Sequence, residues 1–420
     1  MGYLLFFIYL TAFCILLLRF PFFRNSGISA KWLVGLFLCR VIVGMVHAYI
    51  DLNVLTVSDT VGVYNYALRH YDMLLSDPIG FFTDLFKSQY GENYGEVFGV
   101  HQSYWNNLKL NFQIKVVALF DLLSFKNFYI NALLFNMLVF FGAVGLFRAL
   151  DGLVPGKKWL LILGVFLFPS GLYFTSAIHK DGFVWLAIGF IALALRKIDD
   201  EGFTIRRIVT IMASLLLIFA LRNYVALIMV PALFAYGLGC KWKQLAGWAY
   251  PVVFLLCVIL FFGLRYLIPS ADFPAILIDR QHAFMEIPTE GTTKLPMPDM
   301  TPDALSFGRA LIPAVNHSFF QPFILTNRQL TMVGFAMELL LVQLLFLLFL
   351  IRRVKCSHLL PGFLIFISLV NLLLIGYIVP YPGAIVRYRS VFLNLLFIVL
   401  LMRVDFRYFL MKLNIIKNNM

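Results

Sequence analysis

The sequence predicts an all-α polytopic membrane protein of about eleven transmembrane helices. Its N-terminus lies outside, its C-terminus is cytoplasmic, and its first outer loop carries interfacial helices. Three observations predict this. Hydrophobic residues fill 61% of the 420 positions and charged residues only 13%, with a mean hydropathy of +0.88. A soluble domain carries roughly 25% charged residues, so lipid must cover apolar surface that no core of this chain can hide. Apolar runs long enough for a span recur along the whole chain, and Lys and Arg are unequally shared between the loops those runs define. A soluble enzyme, a secreted module and a disordered tail are excluded by composition alone.

A membrane helix needs roughly 20 mostly apolar residues. The runs lie near 3–19, 32–50, 127–147, 159–178, 182–195, 208–221, 224–240, 245–267, 330–351, 359–379 and 390–403. The first, in MGYLLFFIYLTAFCILLLRF, lacks a basic lead and a small-residue cleavage site, so it reads as a retained span rather than a signal peptide. Residues 182–195 and 208–221 are short. Runs of that length rise only about 21 Å against a hydrocarbon core of roughly 30 Å. Unless their flanks complete them, the turns beside them sit in a water-filled pit.

The whole of 1–420 reads as one membrane domain with two long extracytoplasmic loops, 51–126 and 268–329. Within the first, residues 112–125 (FQIKVVALFDLLSF) are apolar but interrupted by Lys115 and Asp121. They read as an amphipathic helix in the interface, or a re-entrant piece, rather than a span.

With the N-terminus outside, the inward loops hold 19 of the 34 basic residues and five acidic ones, a net +14, while the outward side nets −1. The overall charge of +13 is therefore the positive-inside pattern and not a nucleic-acid surface. Arg40 and Glu338 fall inside the second and ninth spans at similar depth, which predicts a buried ion pair between them. Cys14, Cys39, Cys240, Cys257 and Cys356 lie in spans or inward loops, so no disulfide framework is expected outside. No His/Cys metal spacing occurs, and no metal site is assigned.

The outer loops carry the chemistry. Asp51 and then Ser58-Asp59 open the first loop. Tyr64, Leu68, Tyr71 and Leu75 follow as one helical stripe, and Phe81, Phe82, Leu85 and Phe86 as a second. Asp59 starts a helix, where it serves equally as an N-cap. The second loop holds eight of the 17 prolines and the polar run Glu290-Gly291-Thr292-Thr293. It reads as an irregular cover or a lid, or as a plain loop.

Charge also gathers at the turns between spans. His179, Lys180, Asp181 and Gly182 join the fourth and fifth spans, Arg222 and Asn223 the sixth and seventh, and Arg387, Tyr388 and Arg389 precede the last. Arg and Lys can clamp a phosphate, and a carboxylate can take a proton from an attacking hydroxyl. Taken singly, each cation could equally snorkel to lipid phosphates, and His179 could be a structural hydrogen-bonder.

Together these pieces resemble the GT-C class of integral-membrane glycosyltransferases, which use polyprenyl-phosphate-linked sugars, and in particular its bacterial surface-polysaccharide transferase and polymerase relatives. Ser58-Asp59-Thr60, with Tyr64 and Ala67, is similar to the acidic start of their first outer loop. FPSGLYFTSAIHKDGFVWLAIG is similar to their span-turn-span around a Lys/Glu or Lys/Asp pair, LRNYVALIMVPAL to their Arg-aromatic turn, and VRYRSVFLNLL to an Arg-Tyr-Arg element before the last span. QPFILTNRQLTMVGFAMELL is similar to an element in which Arg is expected at Gln321. The first loop lacks the Asp-Asp or Glu-Asp pair of some members, which leaves Asp59 as the base and Asp51 as second candidate.

The resemblance implies an enzyme of the bacterial inner (cytoplasmic) membrane with an outward-facing active site. It would transfer a sugar, with inversion, from a polyprenyl-(pyro)phosphate donor to a glycan or lipid-linked acceptor in cell-surface polysaccharide or glycoconjugate assembly. Asp59 would deprotonate the acceptor. Lys180, Arg222, Arg387 and Arg389 would hold and neutralise the donor phosphate, with His179, Asp181, Asn223 and Tyr388 as further substrate-binding residues. Tyr64, Tyr104 and Trp105 would stack on sugars or pack at the interface. No Gly-rich nucleotide loop is present, no cofactor is expected, and a divalent metal stays open. The partners are donor, acceptor and bilayer, with no nucleic acid. An O-antigen-type repeat-unit polymerase fits the same face. A transporter or flippase of lipid-linked substrate would hold its cargo near the midplane between repeats, and the sequence has no convincing internal repeat. A scaffold subunit of a synthase complex is the third alternative.

Overall fold

The computed structural model describes residues 2–55, 58–86, 103–287, 294–323 and 330–412. Among them every regular element is a helix, apart from one isolated antiparallel bridge between Arg353 and Val404. The chain opens with α1 (Gly2–Arg19), a one-turn α2 (Pro21–Arg24) and α3 (Ala30–Asn53). The first long segment holds α4 (Asp59–Ser76), α5 (Pro78–Thr83) and α6 (Tyr104–Ser124), and α7 (Phe128–Leu150) follows. Next come α8 (Lys158–Leu167) and α9 (Pro169–Ser176), then α10 (Lys180–Glu201), α11 (Ile205–Leu221), α12 (Asn223–Lys241) and α13 (Ala249–Gly263). The second long segment holds α14 (Phe273–Glu286) and α15 (Ala304–Val315). The chain continues through α16 (Leu330–Ile351), α17 (Leu360–Ile378), α18 (Pro382–Arg403) and a short α19 (Phe406–Lys412).

Among the described residues, eight helices are long and apolar enough to cross a membrane: α1, α3, α7, α12, α13 with its extension to Tyr266, α16, α17 and α18. The count becomes nine if α8 and α9, bent by 44°, form one broken span. The break falls where Pro169 lacks an N–H and Phe168 is extended. The protein is therefore an integral, polytopic membrane protein whose helices meet lipid.

The other two expected spans are helices too, and longer than their apolar runs. The 22 residues of α10 and the 17 of α11 rise about 33 Å and 26 Å. Their polar flanks wind into the helix, so helix length alone does not recess the turns beside them.

The chain divides into two compact units, Met1–Ala149 with Gly171–Leu227, and Leu150–Ser170 with Ile228–Met420. We call them units 1 and 2. In unit 1, α7 is central, buried along 89% of its most apolar window, whereas α1 is buried along 6% and faces lipid. The contact of α7 with α10 is backbone to backbone: a Cβ at Gly189 would run into the Gly142 carbonyl. α4 and α6 form a helical hairpin. The two charges that interrupt residues 112–125 point inward. Lys115 Nζ lies 2.9 Å from both Asp84 Oδ2 and His70 Nδ1, and Asp121 Oδ1 accepts from Asn131 Nδ2 at 2.7 Å. The exposed face of α6, with Leu119, Leu122 and Leu123, is the apolar one, so its polarity runs opposite to that of a surface helix in water.

Unit 2 repeats the plan with α18, also buried along 89% of its apolar window, while α13 is buried along 11%. The second long segment is partly helical: Pro274 follows the Asp272 N-cap at the start of α14, Pro313 lies inside α15, and residues 294–303 are irregular. Its helices pack a core of Leu277, Ile278, Phe307, Ala310 and Ala314 against Tyr377. Gln281 donates to the Tyr377 carbonyl (3.0 Å), the Tyr377 hydroxyl to the Phe307 carbonyl (2.8 Å), and the Leu295 amide to the Pro380 carbonyl (2.8 Å). The run Glu290–Thr293 lies outside the described residues.

Arg40 and Glu338, expected to pair with each other, lie in different units, and each has partners within its own. Arg40, in unit 1, donates to the Thr175 carbonyl and, at 3.2 Å, to its hydroxyl oxygen. Glu338, in unit 2, accepts from the Ser170 amide at 2.7 Å and from the Ser170 hydroxyl. The cause is the broken span. The ends of α9 leave backbone groups without helical partners, and a carboxylate at its N-terminus and a guanidinium at its C-terminus match the helix dipole.

Candidate functional site

The turn between α9 and α10 is the construction point of unit 1. Breaking the helix there frees three carbonyls, and three side chains from three helices satisfy them. Arg40 on α3 takes that of Thr175, Asn136 on α7 takes that of Ser176 (2.8 Å), and Gln113 on α6 takes that of Ile178 (2.9 Å). All three are buried, which explains polar residues in otherwise apolar helices. The next residues, His179, Lys180 and Asp181, are thereby held in place.

Around this turn the structure gathers part of the expected site. Asp51, near the C-terminal end of α3, is 4% exposed. His47, one turn earlier on the same face, is also buried, with Nε2 3.7 Å from Asp51 Oδ2. His47 Nδ1 lies 3.2 Å from the Tyr173 carbonyl, and the two rings stack at 4.2 Å. The His179 ring stands edge-on to His47 at 6.0 Å, and its Nε2 lies 3.1 Å from Thr60 Oγ1. Asp51 and Thr60 line one crevice whose other walls include the small residues Gly44, Ala48, Ala132 and Ala177. It is a tight seam, with no room for a water molecule.

Asp59 itself is the first residue of α4 and is exposed. Ser58, not Asp59, holds the N-cap position. The carboxylate lies where a helix dipole favours it, one residue outside the crevice that Thr60 enters.

Asp181 pairs with Arg222. Arg222 donates from one terminal nitrogen to Asp181 Oδ1 (2.5 Å) and from the other to the Tyr224 hydroxyl (2.6 Å), and both charged groups are almost wholly buried. Lys180 is half-buried on the first turn of α10. Asn223 turns its carboxamide oxygen onto the Tyr224 amide (3.0 Å). Tyr64 donates to the Lys126 carbonyl (2.5 Å) and Tyr104 to that of Phe86 (3.0 Å), while Trp105 packs on Phe219 (4.7 Å). The three aromatics expected to meet sugar thus have roles within the fold.

In unit 2, Arg387, Tyr388 and Arg389 sit near the start of α18. Arg387 and Tyr388 are half-buried. Arg389, 1% exposed, does not snorkel. It donates to the Ser318 carbonyl at 3.0 Å and to the Gln321 carbonyl, and so braces the π-helical turn Asn316–Phe320.

His47, Asn136 and Gln113 were not singled out from sequence, and Thr60 was named only within the Ser58-Asp59-Thr60 element. For His47 and Asp51 the signal was present: two polar residues four apart on the end of an apolar helix share one face. For Thr60 it was adjacency to Asp59. For Asn136 and Gln113 no pattern marks the carbonyls they meet.

Outside the spans, burial and the Lys115 charge push the His70 pKa below its ordinary value, against the opposing pull of Asp84. Burial raises that of Asp121, against its hydrogen bonds from Asn131 and Ser124. Among the described residues no three His, Cys, Asp or Glu side chains are grouped as metal ligands. No family model, curated protein or solved structure matches the chain.

Proposed function

We infer that the protein is a GT-C-like membrane glycosyltransferase that moves a sugar from a polyprenyl-(pyro)phosphate donor to a glycan or lipid-linked acceptor. The work is done outside the cytoplasm, in assembly of a cell-surface glycan. In this reading α10 and α11 also span, the broken pair α8–α9 counts as one span, and the chain crosses eleven times with the N-terminus outside. The basic surplus of +14 on one set of loops supports that orientation.

The observation that carries the reading is the Asp51 carboxylate in a seam beside His47, Thr60 and His179, at the end of a helix long enough to span. A base must be dry and positioned but reachable. Asp51 is the better supported base, and Asp59, exposed at the start of α4, is the second. Lys180, at the N-terminus of a 22-residue helix, combines a cation with the dipole that favours a phosphate. Arg222 is held beside that helix start by Asp181, and Arg387 is the candidate cation of unit 2. Arg389, spent on carbonyls, serves the fold.

The test is mass spectrometry of lipid-linked glycans in a deletion strain. Accumulated donor or a truncated glycan is expected, and an unchanged lipid-linked pool contradicts the assignment. A repeat-unit polymerase would leave single repeats on the surface instead. A flippase would move lipid-linked substrate across vesicles of purified protein with no bond formed.

A further inference from the structure

We propose that the basic ends of α7, α10 and α11 in unit 1 form a binding site for one anionic phospholipid. Its phosphate meets Arg148, Lys197 and Arg206, and an acyl chain lies on Phe20, Phe141 and Phe190. The site is independent of the sugar-transfer reading.

Two stripes build it. Phe141 and Arg148 are seven residues apart on α7, and so are Phe190 and Lys197 on α10. Seven residues make nearly two full turns, so each Phe shares a face with its cation. The two helices pack backbone to backbone at Gly142, Gly145 and Gly189. Phe22 of α2 joins the stripes, with its ring 5.4 Å from that of Phe141 and 6.2 Å from that of Phe190. Phe20 stands edge-on to Phe141 at 6.1 Å and is itself exposed. Arg148 is fixed at the border of this aromatic group. It donates to the Phe22 carbonyl at 3.1 Å, and its guanidinium lies 5.0 Å from the centre of the Phe22 ring.

The charges beside it are unbalanced. Arg148, Arg207 and Arg206 all repel the Lys197 ammonium. The carboxylates nearby are already taken: Asp200 pairs with Arg196 at 2.7 Å, and Glu201 pairs with Arg207. Asp199, two residues past Lys197, lies on the other side of the helix. Neither Lys197 nor Arg206 has a side-chain hydrogen bond or ion pair among the described residues. Like charges gathered without a counter-ion are unfavourable, and an anion lodged among them offsets this. Phe203 and Ile205, on either side of the Thr204 N-cap of α11, are 77% and 82% exposed. Large apolar side chains so exposed in a membrane protein belong in lipid, which sets Arg206 at the level of the headgroups.

The ligand follows from this chemistry. A phosphodiester supplies the anion, and basic pockets between membrane helices take such headgroups. A zwitterionic lipid would bring its own ammonium into a cluster of cations, whereas a lipid with an uncharged headgroup would not. The aromatic stripe leading away from the cations fits an acyl chain, which a free phosphate ion lacks.

The test titrates purified full-length protein with phosphatidylglycerol or with phosphatidylcholine of the same chains, and counts bound lipid by native mass spectrometry. The wild type should take one phosphatidylglycerol well before any phosphatidylcholine. Lys197→Gln/Arg206→Gln removes two cations and no hydrogen bond of the fold, and spares Arg148. It should bind phosphatidylglycerol about thirtyfold more weakly. Lys241→Gln/Lys243→Gln loses the same charge from exposed positions of unit 2 and should bind as the wild type does. Equal affinity of the wild type for the two lipids overturns the proposal. So does unchanged binding in Lys197→Gln/Arg206→Gln, or an equal loss in both variants, which would mean that only bulk surface charge is read. Inorganic phosphate at the same concentration as the lipid should not displace it. Displacement would make this a site for the free ion and would overturn the lipid assignment.

Discussion

Units 1 and 2 both bury ionisable side chains, and they spend them differently. In unit 2, Glu338 accepts from the Ser170 amide and hydroxyl, and Arg389 donates to two backbone carbonyls. Both serve backbone left over by a helix break and a π-turn. In unit 1, Arg40 does the same for Thr175. Asp51 does not: among the described residues one of its oxygens has no hydrogen-bond partner, and it lies 3.7 Å from a histidine in the wall of a seam. The contrast teaches that a buried charge is to be weighed by what its unbonded atom faces, because Arg40 Nε also lacks a hydrogen bond among the described residues.

The largest effect is expected from neutralising one carboxylate in each unit. Asp51→Asn should cut transfer by about 10²–10⁴ with the protein still folded. Glu338→Gln should leave transfer per folded molecule unchanged and lower the melting temperature. Size-exclusion profiles, thermal melts and glycan analysis of both variants check this. Equal loss of activity in both would erase the distinction between the units.

A smaller effect is expected at the Asp181–Arg222 pair. Asp181→Ala strands a buried guanidinium, at a cost of about 3–5 kcal/mol, seen as loss of detergent-stable protein. Asp181→Ala/Arg222→Met should recover much of it. Full stability with lost activity in Asp181→Ala would instead place the pair on the substrate.

Acid should loosen the α4–α6 hairpin first. The folded His70 pKa lies below its ordinary value, so the neutral ring is the form the fold holds. Its contribution is complete above about pH 6.5 and is lost as pH falls through the lower folded value, because the unfolded chain binds the proton more readily. Hydrogen exchange in α4 and α5 should speed up on acidification, and His70→Gln should flatten that dependence.

The smallest change is at Asp121, whose folded pKa is raised by burial. Its contribution is complete below about pH 3.9 and is lost as pH rises through the folded value. Among the described residues Asp121 Oδ2 and Asn131 Oδ1 both lack donors, and an amide at 121 could supply one. Asp121→Asn should therefore raise the melting temperature at pH 7 and have less effect at pH 4. A lower melting temperature at pH 7 contradicts this.

Much of the helical layout was legible because it rests on apolar run length, which needs no tertiary information. The limits of α10 and α11 were not, since Lys180-Asp181 and the run Arg196–Glu201 look like loop and wind into helix. The partners of Arg40 and Glu338 were missed for a related reason. A sequence shows a charge and its depth but not the carbonyls and amides that a break at Pro169 releases. The candidate residues His179, Asp181 and Arg222 do cluster, while the link between Asp51 and His47 needed the facing turn of α9 to give it meaning. The Ala304–Val315 helix was hidden by Pro302 and Pro313, read as loop signals.

The most direct measurement is complementation of a deletion strain with Asp51→Asn and Asp59→Asn side by side, scored by mass spectrometry of the lipid-linked sugar pool. With both variants expressed at wild-type level, Asp51→Asn should leave donor accumulated and Asp59→Asn should largely clear it. Clearance by Asp51→Asn would contradict the claim that the seam beside His47 is where the proton goes.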